Sequence, residues 1–401
     1  MASYTLSGGV LSALFLCGLV LAAGIIGLLL GTKLAWRIAT DLPNDRSLHA
    51  LPIPRVGGWG AVPAGIVAAA LFGVADVLLI CILTVLFIVS YADDRFSLPV
   101  LVRMTIHASA AALWLSQGPV NLPPGIAILA GCGIIWITNL FNFMDGSDGL
   151  AGGMAVFAFG TFGAVAAAHG ATPLAVWAIA FAGAVAGFLF FNFNPALVFL
   201  GDAGSISLGF LAGVFGLWGW AVGAWPFWFP FLVSAPFFLD ATVTLFRRVF
   251  RGEPFWKAHR EHYYQRVIRM GWTHSRTALC EYLLMAACSG LAIVMLSWPE
   301  QAQSAGLACA ALVFLAVGYV VDSRWARFVE AQPHVAIAQP RVALPWRRGR
   351  HRHVVMPAPL HPSAADQASL LRRPAVVSEM PEFRAEHRQM RQGGEPPGQD
   401  S

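Results

Sequence analysis

The chain has 401 residues, 57% of them hydrophobic and only 12% charged, with 26 Lys and Arg against 21 Asp and Glu. Its mean hydropathy is +0.64. No water-soluble core needs that much apolar material, so the composition excludes an ordinary soluble domain and points to an all-α, polytopic membrane protein.

The first apolar run, Val10 to Leu30, is longer than the core of a signal peptide and has no Lys or Arg before it, so it reads as a retained first span. Further runs of about 16–22 residues, separated by short polar or Pro/Gly breaks, predict about eleven membrane helices. They cover 10–30, 58–74, 76–92, 100–117, 124–142, 151–169, 172–191, 204–221, 224–246, 277–297 and 304–321. With residue 1 outside, every Lys and Arg up to Arg327 falls at a cytoplasmic end or loop, whereas Gln117–Pro123, His169–Thr172 and Trp298–Ser304 carry none. This asymmetry predicts an external N-terminus and a cytoplasmic C-terminus. Beyond the last run, residues 331–401 are rich in Pro, Arg, Gln and His without apolar periodicity, as expected of a disordered basic cytoplasmic tail. The six cysteines stand singly in apolar stretches and read as small core residues.

On this topology the unusual polar residues share the cytoplasmic side. Asp93-Asp94-Arg95 ends the third span, and Asn142-Phe143-Met144-Asp145-Gly146-Ser147-Asp148-Gly149 ends the fifth. Gly201-Asp202-Ala203-Gly204-Ser205 opens the eighth, and His259-Arg260-Glu261-His262 lies in the loop 247–276. Several acids close together repel unless a cation compensates, and oxygen ligands suit Mg²⁺ or Mn²⁺. Magnesium takes one or two protein carboxylates plus substrate phosphates, so a phosphate ester is the expected ligand, with Arg and His as its donors. Ser205 is placed to cap the eighth helix. Taken singly, Asp93-Asp94 is a solvated helix end, Asn139 and Asn142 join helices, and Asp240 forms an ion pair with Arg247 and Arg248 or positions a helix. His259 and His262 lack the further ligands of a zinc site. It is the joint occurrence on one face that favours catalysis.

These residues, in this order and with Asp45-Arg46-Ser47-Leu48-His49 and Pro52-Ile53-Pro54-Arg55-Val56-Gly57-Gly58 before them, resemble the polyprenyl-phosphate N-acetylhexosamine-1-phosphate transferases. The resemblance covers about residues 10 to 321 and makes 1–330 a transmembrane transferase domain. It implies a bacterial inner-membrane enzyme in which undecaprenyl phosphate attacks a UDP-N-acetylamino sugar and releases UMP. It further implies that Asp202 ligates Mg²⁺, Asn142 and Asp145 organise the nucleotide and metal shell, and Asp148 contacts the uracil. Asp93 and Asp94 activate the lipid phosphate or support the metal; which is the base stays open. His259, Arg260 and His262 hold the diphosphate or sugar, and Arg46, His49 and Arg55 hold the lipid phosphate. His-Arg-Glu-His followed by Tyr263-Tyr264-Gln265-Arg266 is similar to the branch that initiates O-antigen and related surface polysaccharides, with a 6-deoxy-N-acetylhexosamine slightly ahead of N-acetylglucosamine. Phospho-N-acetylmuramoyl-pentapeptide transfer is the alternative within the family. A homodimer is compatible with the resemblance, and no nucleic-acid partner is expected. Outside the family, a secondary transporter of an anionic solute and an inactive scaffold are the competing readings; the former places its polar residues at the midplane.

Overall fold

A computed structural model describes residues 6–41, 52–253 and 259–331. Arg46, His49 and all of the expected tail except Ala331 therefore lie outside the described residues. The helices in chain order are α1 (Gly8–Gly31), α2 (Ala35–Ile38), α3 (Gly57–Leu71), α4 (Val77–Phe96), α5 (Val100–Gln117), α6 (Pro124–Met144) and α7 (Leu150–Ala168). They continue with α8 (Thr172–Asn192), α9 (Asp202–Ala221), α10 (Phe229–Val233), α11 (Ala235–Phe250), α12 (Tyr263–Arg269), α13 (His274–Met295) and α14 (Glu300–Ala331). One departure from all-α is a short antiparallel pair of β1 (Thr40–Asp41) and β2 (Ile53–Pro54), with Thr40 opposite Pro54 and Asp41 opposite Ile53. Pro54 biases Ile53 away from the helical region, which accounts for extended backbone there.

Eight helices, α1, α4, α6, α7, α8, α9, α13 and α14, are long and apolar enough to cross a membrane. All eleven expected runs are helical, but three do not meet that measure. Helix α3 has 15 residues. Helix α5 carries Arg103, His107 and Gln117 within its 18. The run expected over 224–246 is split into α10 and α11, because Pro230 and Pro236 each stand in a first helical turn and start a new segment.

Helices α7, α8 and α9 are buried along most of their length, while α14 has no buried residue. Close approach of small residues holds this centre together, as expected where lipid removes the hydrophobic drive between helices. A Cβ on Gly183 or Gly187 of α8 would collide with the carbonyl oxygens of Phe15 or Leu19 of α1, and one on Gly18 of α1 with that of Ala180. The cysteines correct the expectation. Cys288 is buried, but Cys81, Cys132, Cys280 and Cys309 are exposed on helix surfaces, where a small apolar side chain suits lipid as well as core.

Candidate active site

The polypeptide from Pro54 to Gly58 is laced by its main chain to the segment before α9. Phe199 N donates to Pro54 O at 2.9 Å, Gly57 N to Phe199 O at 2.8 Å and Gly58 N to Leu200 O at 2.9 Å. Gly58 has no room for a side chain, since a Cβ there would collide with the backbone nitrogen of Gly204. Gly201 has φ +72°, and its missing Cβ would stand 3.2 Å from both Arg55 Cβ and Asp94 Oδ2. Glycine is thus required at 201 by both the left-handed backbone and the space.

This seam sets Arg55 beside the start of α9, and Asp94 at the end of α4 closes on both. Arg55 Nη1 donates to Asp94 Oδ1 at 2.9 Å, and the Asp202 amide donates to Asp94 Oδ2 at 2.9 Å. Arg55 Nη2 also donates to Asp41 Oδ1 at 2.6 Å. Asp94 therefore supplies from another helix the capping oxygen that Gly201, the residue before α9, cannot. Ser205, expected as the cap, is instead buried with its hydroxyl unpaired, because α9 begins three residues earlier.

Asp93 does different work. Its Oδ1 accepts from Leu98 N at 2.6 Å and its Oδ2 from Arg103 Nη1 at 2.8 Å, across the turn where Ser97 adopts φ +52°. Both oxygens are spent joining α4 to α5. Arg55, Asp93, Asp94, Arg103 and Asp202 line one cavity of about 260 Å³.

Asp145 caps the C-terminal end of α6, and the charges acting on it are those of Asp202, Arg55 and Asp94. Burial, and then the Asp202 charge, pushes the Asp145 carboxyl well above the usual range. Neither the Asp145 nor the Asp202 carboxylate accepts a hydrogen bond from another described residue. No three His, Cys, Asp or Glu side chains among the described residues form a ready cage. Two carboxylates without a described hydrogen-bond donor nevertheless offer the oxygen ligands that Mg²⁺ takes, its other ligands coming from water and substrate phosphates.

After Asp145 the chain turns into α7. Asp148 Oδ2 accepts from Asn194 Nδ2 at 2.8 Å and from Ala196 N at 3.1 Å, so half of this carboxylate ties down the α8–α9 connection. Gly149, at φ +76°, donates its amide to Asn192 Oδ1 and accepts from the Tyr282 hydroxyl at 2.7 Å. Asn139 turns its amide back onto Ile135 O at 2.7 Å, within its own helix. Asn142 stands partly buried, one turn before Asp145.

The arm 259–269 carries the histidine motif. Asp240 accepts from the amides of Tyr263 at 2.8 Å and Tyr264 at 3.1 Å, so it positions the start of α12. The pairing of Asp240 with Arg247 and Arg248 is not what forms: Arg247 pairs with Asp322 at 2.8 Å and Arg248 with Glu253 at 2.8 Å and with Glu261, while the Asp240 carboxylate lies 3.4 Å from His262 Nδ1. Glu261, also bound by Arg251, is an anchor for the motif. The buried Tyr264 places its hydroxyl against Gly146, docking the arm on the turn after Asp145. The His259 and His262 rings lie 4.8 Å apart. Burial, then His262 and Arg248, lowers the His259 pKa to about 4, leaving it neutral at pH 7. Arg260 continues the arm, its carbonyl accepting from Arg269 at 3.2 Å.

Three residues that local motifs did not single out matter here: Asp41, Arg103 and Asp322. Asp322 of α14 accepts from Arg247 Nη1, from Arg266 Nη1 at 2.8 Å and from the Tyr263 hydroxyl at 3.2 Å. Its one sequence signal is an acid at the end of the last apolar run, facing a loop full of arginines.

Residues 77–219 match the model of glycosyl transferase family 4. A Yersinia pestis protein named undecaprenyl-phosphate alpha-N-acetylglucosaminyl 1-phosphate transferase is 30% identical over 76% of this chain and 90% of its own. The Escherichia coli O157:H7 protein of the same name is 29% identical over 72% and 86%. A Bacillus subtilis protein, a probable undecaprenyl-phosphate N-acetylglucosaminyl 1-phosphate transferase, is 27% identical over 65% and 78%.

Proposed function

The chain belongs to glycosyl transferase family 4, and from that membership and the cavity we propose that it moves an N-acetylamino-sugar 1-phosphate from a UDP-sugar to undecaprenyl phosphate. A lipid phosphate oxygen bonds to the β-phosphorus of the donor, the bond to the UMP oxygen breaks, and UMP leaves. One phosphoanhydride replaces another, so positioning and charge neutralisation are the enzyme's main tasks. The observation that carries the reading is Asp94, whose two oxygens bind Arg55 and the Asp202 amide and so join three of the separated motifs at one cavity.

In this reading Asp202 and Asp145 would hold Mg²⁺, which when bound neutralises the diphosphate. Asp94 caps the first amide of α9 and fixes the Arg55 guanidinium, whose remaining N–H groups are donors suited to a phosphate. Asp93 orients Arg103 at the same cavity. Asn142 and Asp148 face the nucleotide, and His259, Arg260 and His262 approach the diphosphate or sugar. A lipid phosphate loses its second proton near pH 6, so a strong base is not required. The relatives' names support N-acetylglucosamine as the sugar, whereas His-Arg-Glu-His with Tyr263-Tyr264 supports a 6-deoxy sugar for surface polysaccharide. The apolar runs support about eleven spans, and with that odd count the one-sided distribution of Lys and Arg supports an external N-terminus and a cytoplasmic site in a bacterial inner membrane.

The test is UMP release from proteoliposomes given undecaprenyl phosphate, Mg²⁺ and a panel of UDP-N-acetylamino sugars, with mass spectrometry of the lipid product. Chelation should abolish release and Mg²⁺ or Mn²⁺ restore it. No UMP from any donor would refute the transferase reading, and a product one oxygen lighter than the N-acetylglucosamine lipid would identify the deoxy sugar.

A further inference from the structure

A second hollow, of about 840 Å³, lies between the arm and α14 and shares no lining residue with the acidic cavity. That volume is within the range of ligand clefts. One wall is Val267, Met270 and Trp272; the other is the α14 face from Ala316 through Val320 and Val321. Arg324 and Arg327 stand at its end, on the same helix just past the apolar stretch.

Charge makes this groove unusual. Arg247, Arg248, Arg251 and Arg266 are all paired with Asp322, Glu253 or Glu261. Around the groove the arginines have no carboxylate partner among the described residues. Arg269 lies over the Trp325 ring at 4.7 Å, Arg276 over Trp272 at 4.0 Å, and Arg327 Nε contacts only Ser323 O of its own helix at 3.3 Å. The acids nearest in sequence are Asp322, which is taken by Arg247 and Arg266, and Glu330, which is exposed.

We propose that the groove binds one anionic phospholipid of the bilayer, with an acyl chain along the α14 wall and the phosphate at Arg324 and Arg327. The order of features argues for this occupant. An apolar trough runs along a helix apolar enough to cross a membrane, and guanidinium groups without a carboxylate partner among the described residues begin where the trough ends, beside Trp272 and Trp325, a residue type enriched at membrane interfaces. A soluble anion has no use for the trough, and an apolar peptide none for the arginines. Val267 and Met270 continue the helix that follows His262, so the lipid also packs against the arm.

The test uses the full chain in detergent, titrated with phosphatidylglycerol and read by native mass spectrometry, with phosphatidylcholine and inorganic phosphate as separate arms. Wild type should retain one phosphatidylglycerol. R324Q/R327Q should bind it about 30-fold more weakly, at about one factor of five per basic residue. Ala316→Trp, which fills the trough from an exposed position, should also lose the lipid with all arginines intact. Both variants should keep UMP release in a phosphatidylglycerol-free assay, which shows that they are folded. Equal retention by wild type and R324Q/R327Q overturns the proposal. So does equal retention of phosphatidylcholine, displacement by inorganic phosphate, or binding only after residues 332–401 are removed.

Discussion

Replacing Asp322 by alanine tests whether the last helix holds the histidine arm over the cavity. The carboxylate receives Arg247, Arg266 and the Tyr263 hydroxyl. Arg247 is 43% exposed, so its pair contributes only about 0.2–1 kcal/mol. Arg266 is 8% exposed, and a shielded hydrogen bond to a charged group contributes about 1.5–3 kcal/mol. Together the arm loses about 2–4 kcal/mol of attachment. If half of that is lost to the docked position, kcat/KM for the nucleotide sugar falls about 5–30-fold. The loss should sit mainly in KM for the UDP-sugar, with KM for undecaprenyl phosphate unchanged, because the lipid-phosphate candidate Arg55 is held by Asp94 and Asp41 instead. UMP release against donor concentration measures it. Combining D322A with R266A should cost less than the sum of the two single losses, since they remove one interaction. A folded D322A protein with unchanged kcat/KM for the donor refutes the reasoning.

Asp202→Asn and Asp94→Asn should each lower turnover at least about a hundredfold while leaving the protein folded, measured as UMP release beside thermal unfolding. Retained activity in purified Asp202→Asn removes the metal assignment. Gly58→Ala inserts a methyl against the Gly204 backbone and should destabilise the fold by about 1–3 kcal/mol, seen as a lower melting temperature. His259 has a folded pKa of about 4, below the unfolded value near 6.5, so the unfolded chain binds the extra proton between those values. Stability should therefore fall as pH drops from about 6.5 to 4, and His259→Gln should flatten that part of a melting-temperature profile.

The helical runs were legible because each needs only local composition, and so were the acids that end them. The limits of such reading are equally physical. Nothing near Asp93 or Asp94 in the chain distinguishes them, yet one closes a local turn and the other reaches across 108 residues to cap α9. Asp240 was read correctly as a positioning residue, but its partners lie 23 and 24 residues away, beyond any helical periodicity. Glu261 stands inside the histidine motif with no role assigned from the sequence, and its arginines hold the motif in place. Asp322 belongs to no motif, and its partners come from α11 and α12, far from it in sequence.

The main-chain lacing between Pro54–Gly58 and Phe199–Leu200 has a consequence for how reactants arrive. Two segments some 140 residues apart in sequence are stitched together by amides and carbonyls, with no side chain whose rotation could undo the stitch. The wall bearing Arg55 and Asp202 therefore behaves as the fixed jaw. The histidine arm is held differently, by side chains: the Tyr264 phenol on Gly146, Asp240 at the start of α12, and arginines on Glu253, Glu261 and Asp322, so any adjustment to a bulky donor is easier there than across the stitch.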